Sequence, residues 1–241
     1  MATIAAPQAR WQRDRKFFTG VALAWVVVTF IGFAPSYYLG SWMGARPLGP
    51  LVHLHGIVFT TWILLYLTQN GLIALGRPDI HRRSGVATLI FALVVLAVGV
   101  AVAIESGRLG HGPPTRHQPS FLAYPLANMV MFAIFTLLGL LYRKRSEFHK
   151  RLMFLATLGL VITPLARFSR MSGLPFDQPA IGGKILSDLF VAALVIFDLR
   201  SRGRIHPATL WAGGAYLASQ PLRVAIGNSE PWQDFAITLI G

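Results

Sequence analysis

Long apolar segments alternate with short, strongly basic turns over most of the chain. Segments long enough to cross roughly 30 Å of hydrocarbon lie at about residues 17–38, 51–75, 85–104, 121–142, 152–170, 184–199 and 207–226. The fifth contains Arg167, the sixth is short and holds Asp188, and the seventh is interrupted at Pro221. The pattern predicts an all-α membrane protein. We expect residues 1–241 to form one domain, a bundle of seven transmembrane helices, with six as the alternative.

Composition supports this class. Hydrophobic residues make up 54% of the chain and charged residues only 13%, whereas soluble domains carry about 25% charged residues. The sequence contains no cysteine, which excludes disulfides, thiolate metal ligands, Fe–S clusters and covalent c-type haem attachment.

Basic residues predict the orientation. Of the 22 Lys and Arg residues, 15 lie before the first segment or in the turns at 77–83, 143–151 and 200–204. Because Lys and Arg are retained in short cytoplasmic loops, the N-terminus is expected in the cytoplasm and the C-terminus outside. The net charge of +13 then indicates contact with anionic lipids on the cytoplasmic side. No motif for nucleic-acid binding is present, and residues 227–241 are predicted to form an amphipathic stretch on the outer surface.

The second segment carries the first candidate site. Neighbouring positions on one helical face recur every 3 or 4 residues, and the stripe that begins at His55 continues through Phe59, Trp62, Tyr66 and Gln69. His53 lies about 200° away from His55 around a regular helix. We expect His55 to face the bundle, with Trp62 and Gln69 lining a binding pocket. The alternative is that His55 lies at the headgroup level and hydrogen-bonds to a carbonyl.

Each of the three later basic turns contains a histidine, namely His81, His149 and His206. One interpretation is that these residues only mark helix starts at the interface. The other is that His81 and His149 converge on one ligand, because imidazole binds haem iron and divalent metals.

Arg167 and Arg170 share one face of the fifth segment. Ionisable residues within a span usually face a bundle interior or a cavity. We expect one of them to pair with Asp188. The same arginines are candidates for holding an anionic headgroup, a carboxylate or haem propionates.

These motifs resemble an uncharacterised family of bacterial multi-pass inner-membrane proteins grouped as DUF2306. The resemblance covers about residues 50–235 and is carried by short motifs: His55-Gly56 with Trp62 and Gln69, Gly76-Arg77, His81-Arg82-Arg83, His149-Lys150-Arg151-Leu152-Met153, His206-Pro207-Ala208 and Gln220-Pro221-Leu222-Arg223. The histidines near helix ends are also similar to those of membrane b-type cytochromes. The family resemblance implies a bacterial inner-membrane location.

The functional expectation is a redox-associated membrane protein that binds haem or a quinone between its helices. The candidate cofactor-binding residues are His55, Trp62, Gln69, His81, His149, Arg167 and Arg170. The alternative is a non-catalytic transporter, a lipid-binding module or an accessory subunit of a membrane complex. A metal-dependent membrane enzyme is a third hypothesis. Retinal attachment is excluded because the last segment has no lysine.

Overall fold

A computed structural model describes residues 5–110, 118–173 and 179–241, and every regular element in these ranges is helical. The helices are α1 (Ala5–Phe33), α2 (Pro50–Ala74), α3 (Pro78–Arg108), α4 (Gln118–Leu141), α5 (Ser146–Met171), α6 (Pro179–Arg202), α7 (Gly214–Gly227) and α8 (Glu230–Ile240). The predicted all-α class is confirmed. Parts of the two longer connections, 111–117 and 174–178, lie outside the described residues.

Two π-helical turns extend this set. One, Ala34–Tyr38, continues α1 beyond Pro35, and the other, Thr209–Gly213, leads into α7. Residues 207–227 are therefore helical throughout, and Pro221 does not interrupt them. Most helices extend beyond the predicted segments, because a helix does not have to end where the hydrocarbon ends.

Five helices in the described part of the chain are long and apolar enough to cross a membrane, as expected of a multi-pass membrane protein. They comprise α1 with its π-turn, α2, α3, α4 and α5. Two further helical segments, α6 and 207–227, pack along the bundle but do not meet both criteria. The two have charged or polar residues such as Asp188, Asp198 and Arg223 within their length.

The centre of the bundle is α5, which packs against α1, α2, α4 and α6. Its side chains Phe154, Leu155, Leu158 and Val161 are completely buried. Close backbone approach fixes its neighbours, since an added Cβ on Gly32 of α1 would lie 2.7 Å from the carbonyl oxygen of Pro164. This central position explains why α5 can hold buried polar groups.

The amphipathic stretch predicted near the C-terminus forms α8. It packs on the ends of α3 and α4, with Ala236 buried and Trp232 Nε1 donating to the carbonyl oxygen of Pro119 at 2.7 Å. Its other face leaves Phe235 and Ile237 exposed. This helix lies at the end of the bundle opposite the basic turns. We call the two ends the basic end and the opposite end.

Candidate functional site: a histidine pair at the basic end

The imidazole rings of His81 and His149 lie together at the basic end. His81 is one turn into α3 and His149 one turn into α5. Their ring centroids are 6.1 Å apart, and the ring planes are inclined by 80°. Two histidines that lie 68 positions apart in sequence, on α3 and α5, are therefore neighbours in the fold.

A hydrogen bond fixes the tautomer of His149. Its Nδ1 lies 2.8 Å from the carbonyl oxygen of Gly139 on α4. A carbonyl oxygen only accepts, so Nδ1 carries the hydrogen and Nε2 carries the lone pair of the neutral ring. This is the arrangement of a histidine whose second nitrogen binds a metal, with the first held by a backbone carbonyl.

The His81 ring has a nitrogen without a partner. Its Nδ1 is buried and has no hydrogen bond within the described part of the chain. One turn further along α3, an added Cβ on Gly85 would meet no atom within 4 Å, so the space beside the His81 face is open. A buried nitrogen next to open space can accept a ligand.

Gln69 belongs to the same end of the bundle. Its Nε2 donates to Ser84 Oγ at 2.9 Å and to Thr88 Oγ1 at 3.1 Å, both on α3. Its backbone interacts with the His81 ring. Gln69 thus holds α2 against the face of α3 that carries His81.

Trp62 lies in the core between the two ends. It is almost completely buried, and its Nε1 donates to Thr157 Oγ1 of α5 at 3.3 Å. The indole ring also packs edge-on against Phe132, with centroids 5.0 Å apart. The structure thus gives Trp62 a bridging contact between α2 and α5.

His55 lies far from the histidine pair. It precedes Gln69 by 14 residues on α2, a distance of about 21 Å at about 1.5 Å per residue. Its ring packs on Phe59 with centroids 4.0 Å apart, and its Nδ1 is buried without a hydrogen bond in the described residues. His53 is exposed, so the predicted inward facing of the His55 stripe is confirmed.

The expected pairing of Arg167 or Arg170 with Asp188 is wrong. Arg167 Nη1 donates to Ser36 Oγ at 2.9 Å and its guanidinium covers the Phe33 ring, while Arg170 is exposed. Asp188 instead accepts from Lys184 Nζ at 2.8 Å and from Gln220 Nε2 at 2.6 Å.

The predicted pairing fails because Asp188 and the two arginines lie at different heights along the bundle axis. An added Cβ on Gly183 of α6 would lie 2.6 Å from Ala166 Cβ, which places these two residues at one level. The helices run antiparallel, so Asp188 lies deeper in the bundle while Arg170 lies nearer its end. At about 1.5 Å per residue the two are separated by about 13 Å along the axis.

The pocket assumed from sequence is therefore divided between two ends. Gln69, His81 and His149 lie at the basic end, whereas His55, Arg167 and Arg170 lie at the opposite end. Arg167 follows His149 by 18 residues on α5, about 27 Å along the axis. These arginines cannot hold the anionic groups of a ligand bound to the histidine pair.

Sequence reasoning missed a buried group of charges beside this site. Arg151 and Asp198 are both completely buried and form a salt bridge between α5 and α6. Asp198 also accepts from the backbone N–H of His206 at 3.0 Å and from Thr209 Oγ1. Arg151 was counted only as a basic turn residue. The signal that indicates this group is Asp198 within the apolar stretch of α6, since an acid in a span needs a partner.

Further ion pairs extend this group to the end of α1. Glu147 pairs with Arg151 at 2.8 Å and with Arg202, while Lys150 pairs with Asp14 of α1 at 2.6 Å. We call these residues the ion cluster: Asp14, Glu147, Lys150, Arg151, Asp198 and Arg202. It joins α1, α5 and α6 next to the histidine pair.

His206 lies in the turn that precedes the last bundle segment. Burial, reinforced by the cations Arg151 and Arg202, lowers the pKa of His206 to about 4. Its Nδ1 accepts from the backbone N–H of Ala208 at 3.1 Å. The neutral ring therefore caps the start of the helical segment that follows.

No protein-family model matches the chain, and neither a curated protein nor a solved structure matches it at a significant level. The resemblances described from the sequence therefore stay predictions. Among the residues whose side chains are described, no three His, Asp or Glu side chains are grouped so as to hold a metal ion.

Proposed function

We propose that this chain is a redox-associated membrane protein that binds haem at its basic end, where His81 and His149 would hold the group. The observation that carries the proposal is the approach of two imidazole rings from different helices. Their ring centroids lie 6.1 Å apart, which is close enough for both imidazoles to bind the same group.

The following contacts support haem at this site. The Gly139 carbonyl accepts from Nδ1 of His149 and so leaves Nε2 as the nitrogen that would bind the group. His81 has a buried nitrogen without a partner in the described residues. The space beside Gly85, one turn beyond His81 on α3, is open. Bound haem would supply one-electron transfer.

The remaining residues of the site would position the two histidines. Gln69 holds α2 against α3, and the Gly139 carbonyl orients the His149 ring. Such backbone and side-chain contacts typically change ligand affinity 10–100-fold when removed. Gln69 is thus a positioning residue in this proposal.

An absorption spectrum of the purified protein, expressed with a haem precursor, tests the proposal. We expect a Soret band that shifts on reduction. His81→Ala and His149→Ala should each abolish it, and His53→Ala, which changes an exposed ring at the other end, should retain it.

The contrary outcomes are distinct. A colourless wild-type protein overturns haem binding, and a co-extracted quinone would identify the other redox ligand. A Soret band that survives both His81→Ala and His149→Ala places haem elsewhere, for example at His55. A colourless protein without quinone would favour a non-catalytic transporter or accessory subunit.

The same proposal includes seven membrane crossings in a bacterial inner membrane, with the basic end in the cytoplasm. The position of the basic residues supports this orientation, because 15 of the 22 Lys and Arg residues lie at the basic end. Reporter fusions after residues 76 and 203 should report the cytoplasm, and fusions after 173 and 241 the outside. A C-terminal reporter in the cytoplasm would mean that residues 207–227 do not cross.

A further inference from the structure

A groove of about 430 Å³ runs along α1 at the basic end, where Ala74 at the end of α2 forms its far wall. The polar part of the groove is lined by Gln12, Arg15 and Lys16. None of these residues belongs to the histidine pair or to the ion cluster. The groove is therefore a separate feature of the molecule.

The lining changes from charged to apolar along α1. Thr19, Gly20 and Leu23 follow the basic residues on the same side of the groove. From Arg15 to Leu23 the helix rises about 12 Å, which is the depth from a headgroup into the acyl region. The Arg15 guanidinium packs on the Trp11 ring at 4.0 Å, and tryptophan is typical of the membrane interface.

A buried hydroxyl in the groove lacks a partner. Thr19 Oγ1 is buried and forms no hydrogen bond with any described residue. Helical threonines commonly satisfy this group by bonding to the carbonyl four residues earlier, and Thr19 does not. Thr19 lines the groove, but this oxygen is shielded from a ligand that lies in it.

Space for a chain exists directly below. An added Cβ on Gly20 would meet no atom within 4 Å. Leu23 is exposed, and Ala74 adds only a methyl group to the opposite wall. The floor can therefore take a long hydrocarbon chain.

We propose that this groove binds one anionic phospholipid. The headgroup phosphate lies against Arg15 and Lys16, and one acyl chain passes over Gly20 towards Leu23. Charge complementarity selects an anionic headgroup, and the apolar floor selects a lipid rather than a soluble phosphate. The site is independent of haem binding.

Native mass spectrometry of the purified protein tests this site after exchange into phosphatidylcholine that contains phosphatidylglycerol. We expect the wild-type protein to retain one phosphatidylglycerol. Gly20→Phe fills the groove without changing charge, and Arg15→Gln with Lys16→Gln removes both cations. Each change should weaken retention about tenfold or more.

Two matched controls complete the experiment. Arg200→Gln with Arg204→Gln removes two cations from the same end of the molecule, and Gly214→Phe fills open space beside α7. Both controls should retain the lipid. Equal loss in the arginine control would show diffuse attraction, and retention in Gly20→Phe would show that the groove is not used.

Three further outcomes of the same experiment test which molecule occupies the groove. Equal retention of phosphatidylcholine would overturn selection of an anionic headgroup. Displacement of the bound lipid by inorganic phosphate alone would overturn the role of the acyl chain. A quinone or fatty acid recovered from the groove in place of phospholipid would also overturn the proposal.

Discussion

Arg151 and Asp198 form a salt bridge in which both side chains are completely shielded from solvent. Removing one member of a buried pair leaves an uncompensated charge, which typically costs about 3–5 kcal/mol. Asp198→Ala should therefore lower the thermal unfolding temperature in detergent strongly.

The exposed pair of Arg77 and Asp79 gives the control for this change. These residues form the same type of contact at 3.2 Å, with about half of each side chain exposed. Exposed pairs contribute about 0–1 kcal/mol, so Asp79→Ala should have a small effect. Similar losses in both variants would contradict burial of Asp198.

The hydrogen bond between Trp62 and Thr157 provides a second test of the core. Thr157→Val keeps the shape of the side chain but removes the acceptor of the indole N–H. A buried donor without a partner costs about 1–3 kcal/mol, and thermal unfolding should detect this loss. Thr68→Val, on α2, changes an exposed hydroxyl that bonds to Leu64 within its own helix, and it should be nearly neutral.

Stability should depend on pH through His206. In the unfolded chain its pKa is about 6.5, while burial lowers it to about 4 in the folded protein. Between these values the unfolded state binds more protons, so the free energy of unfolding rises with pH. The contribution is complete above about pH 6.5 and is lost as the pH falls towards 4, roughly 3 kcal/mol in all.

Unfolding temperatures of the wild-type protein and His206→Gln across this range measure the effect. The variant should show a flatter dependence on pH. Parallel curves would mean that another group titrates in this window.

The two histidines of α2 should differ in their response to substitution. His55 is partly buried and packs on Phe59, whereas His53 is exposed. His55→Ala should therefore impair folding, seen as a broadened size-exclusion profile, while His53→Ala should be mild. A greater loss in His53→Ala would reverse the facing of α2 and contradict the burial described here.

The sequence predicted the helices well because each apolar segment is defined by its own residues. The facing of His55 was also predictable, since helical periodicity alone separates it from His53. The partner of Asp188 was not predictable. It depends on the level at which α5 and α6 cross, and that level is set by the close approach of Gly183 to Ala166.

The contact between His81 and His149 was predictable only in part. Their similar positions after two basic turns suggested that they share one end, but the distance between them depends on the packing of α3, α4 and α5. Arg151 could not be separated from the other basic residues of its turn by sequence alone. Its burial results from the central position of α5, which no local pattern reveals.

The ion cluster makes the net charge of the basic turns different before and after the helices assemble. On the proposed topology, Lys150, Arg151 and Arg202 contribute to the choice of side during insertion. Once the helices assemble, Asp14, Glu147 and Asp198 neutralise them. On this topology, assembly neutralises part of the positive charge that directs insertion. The surface of the assembled protein is therefore less positive than that of the newly inserted chain.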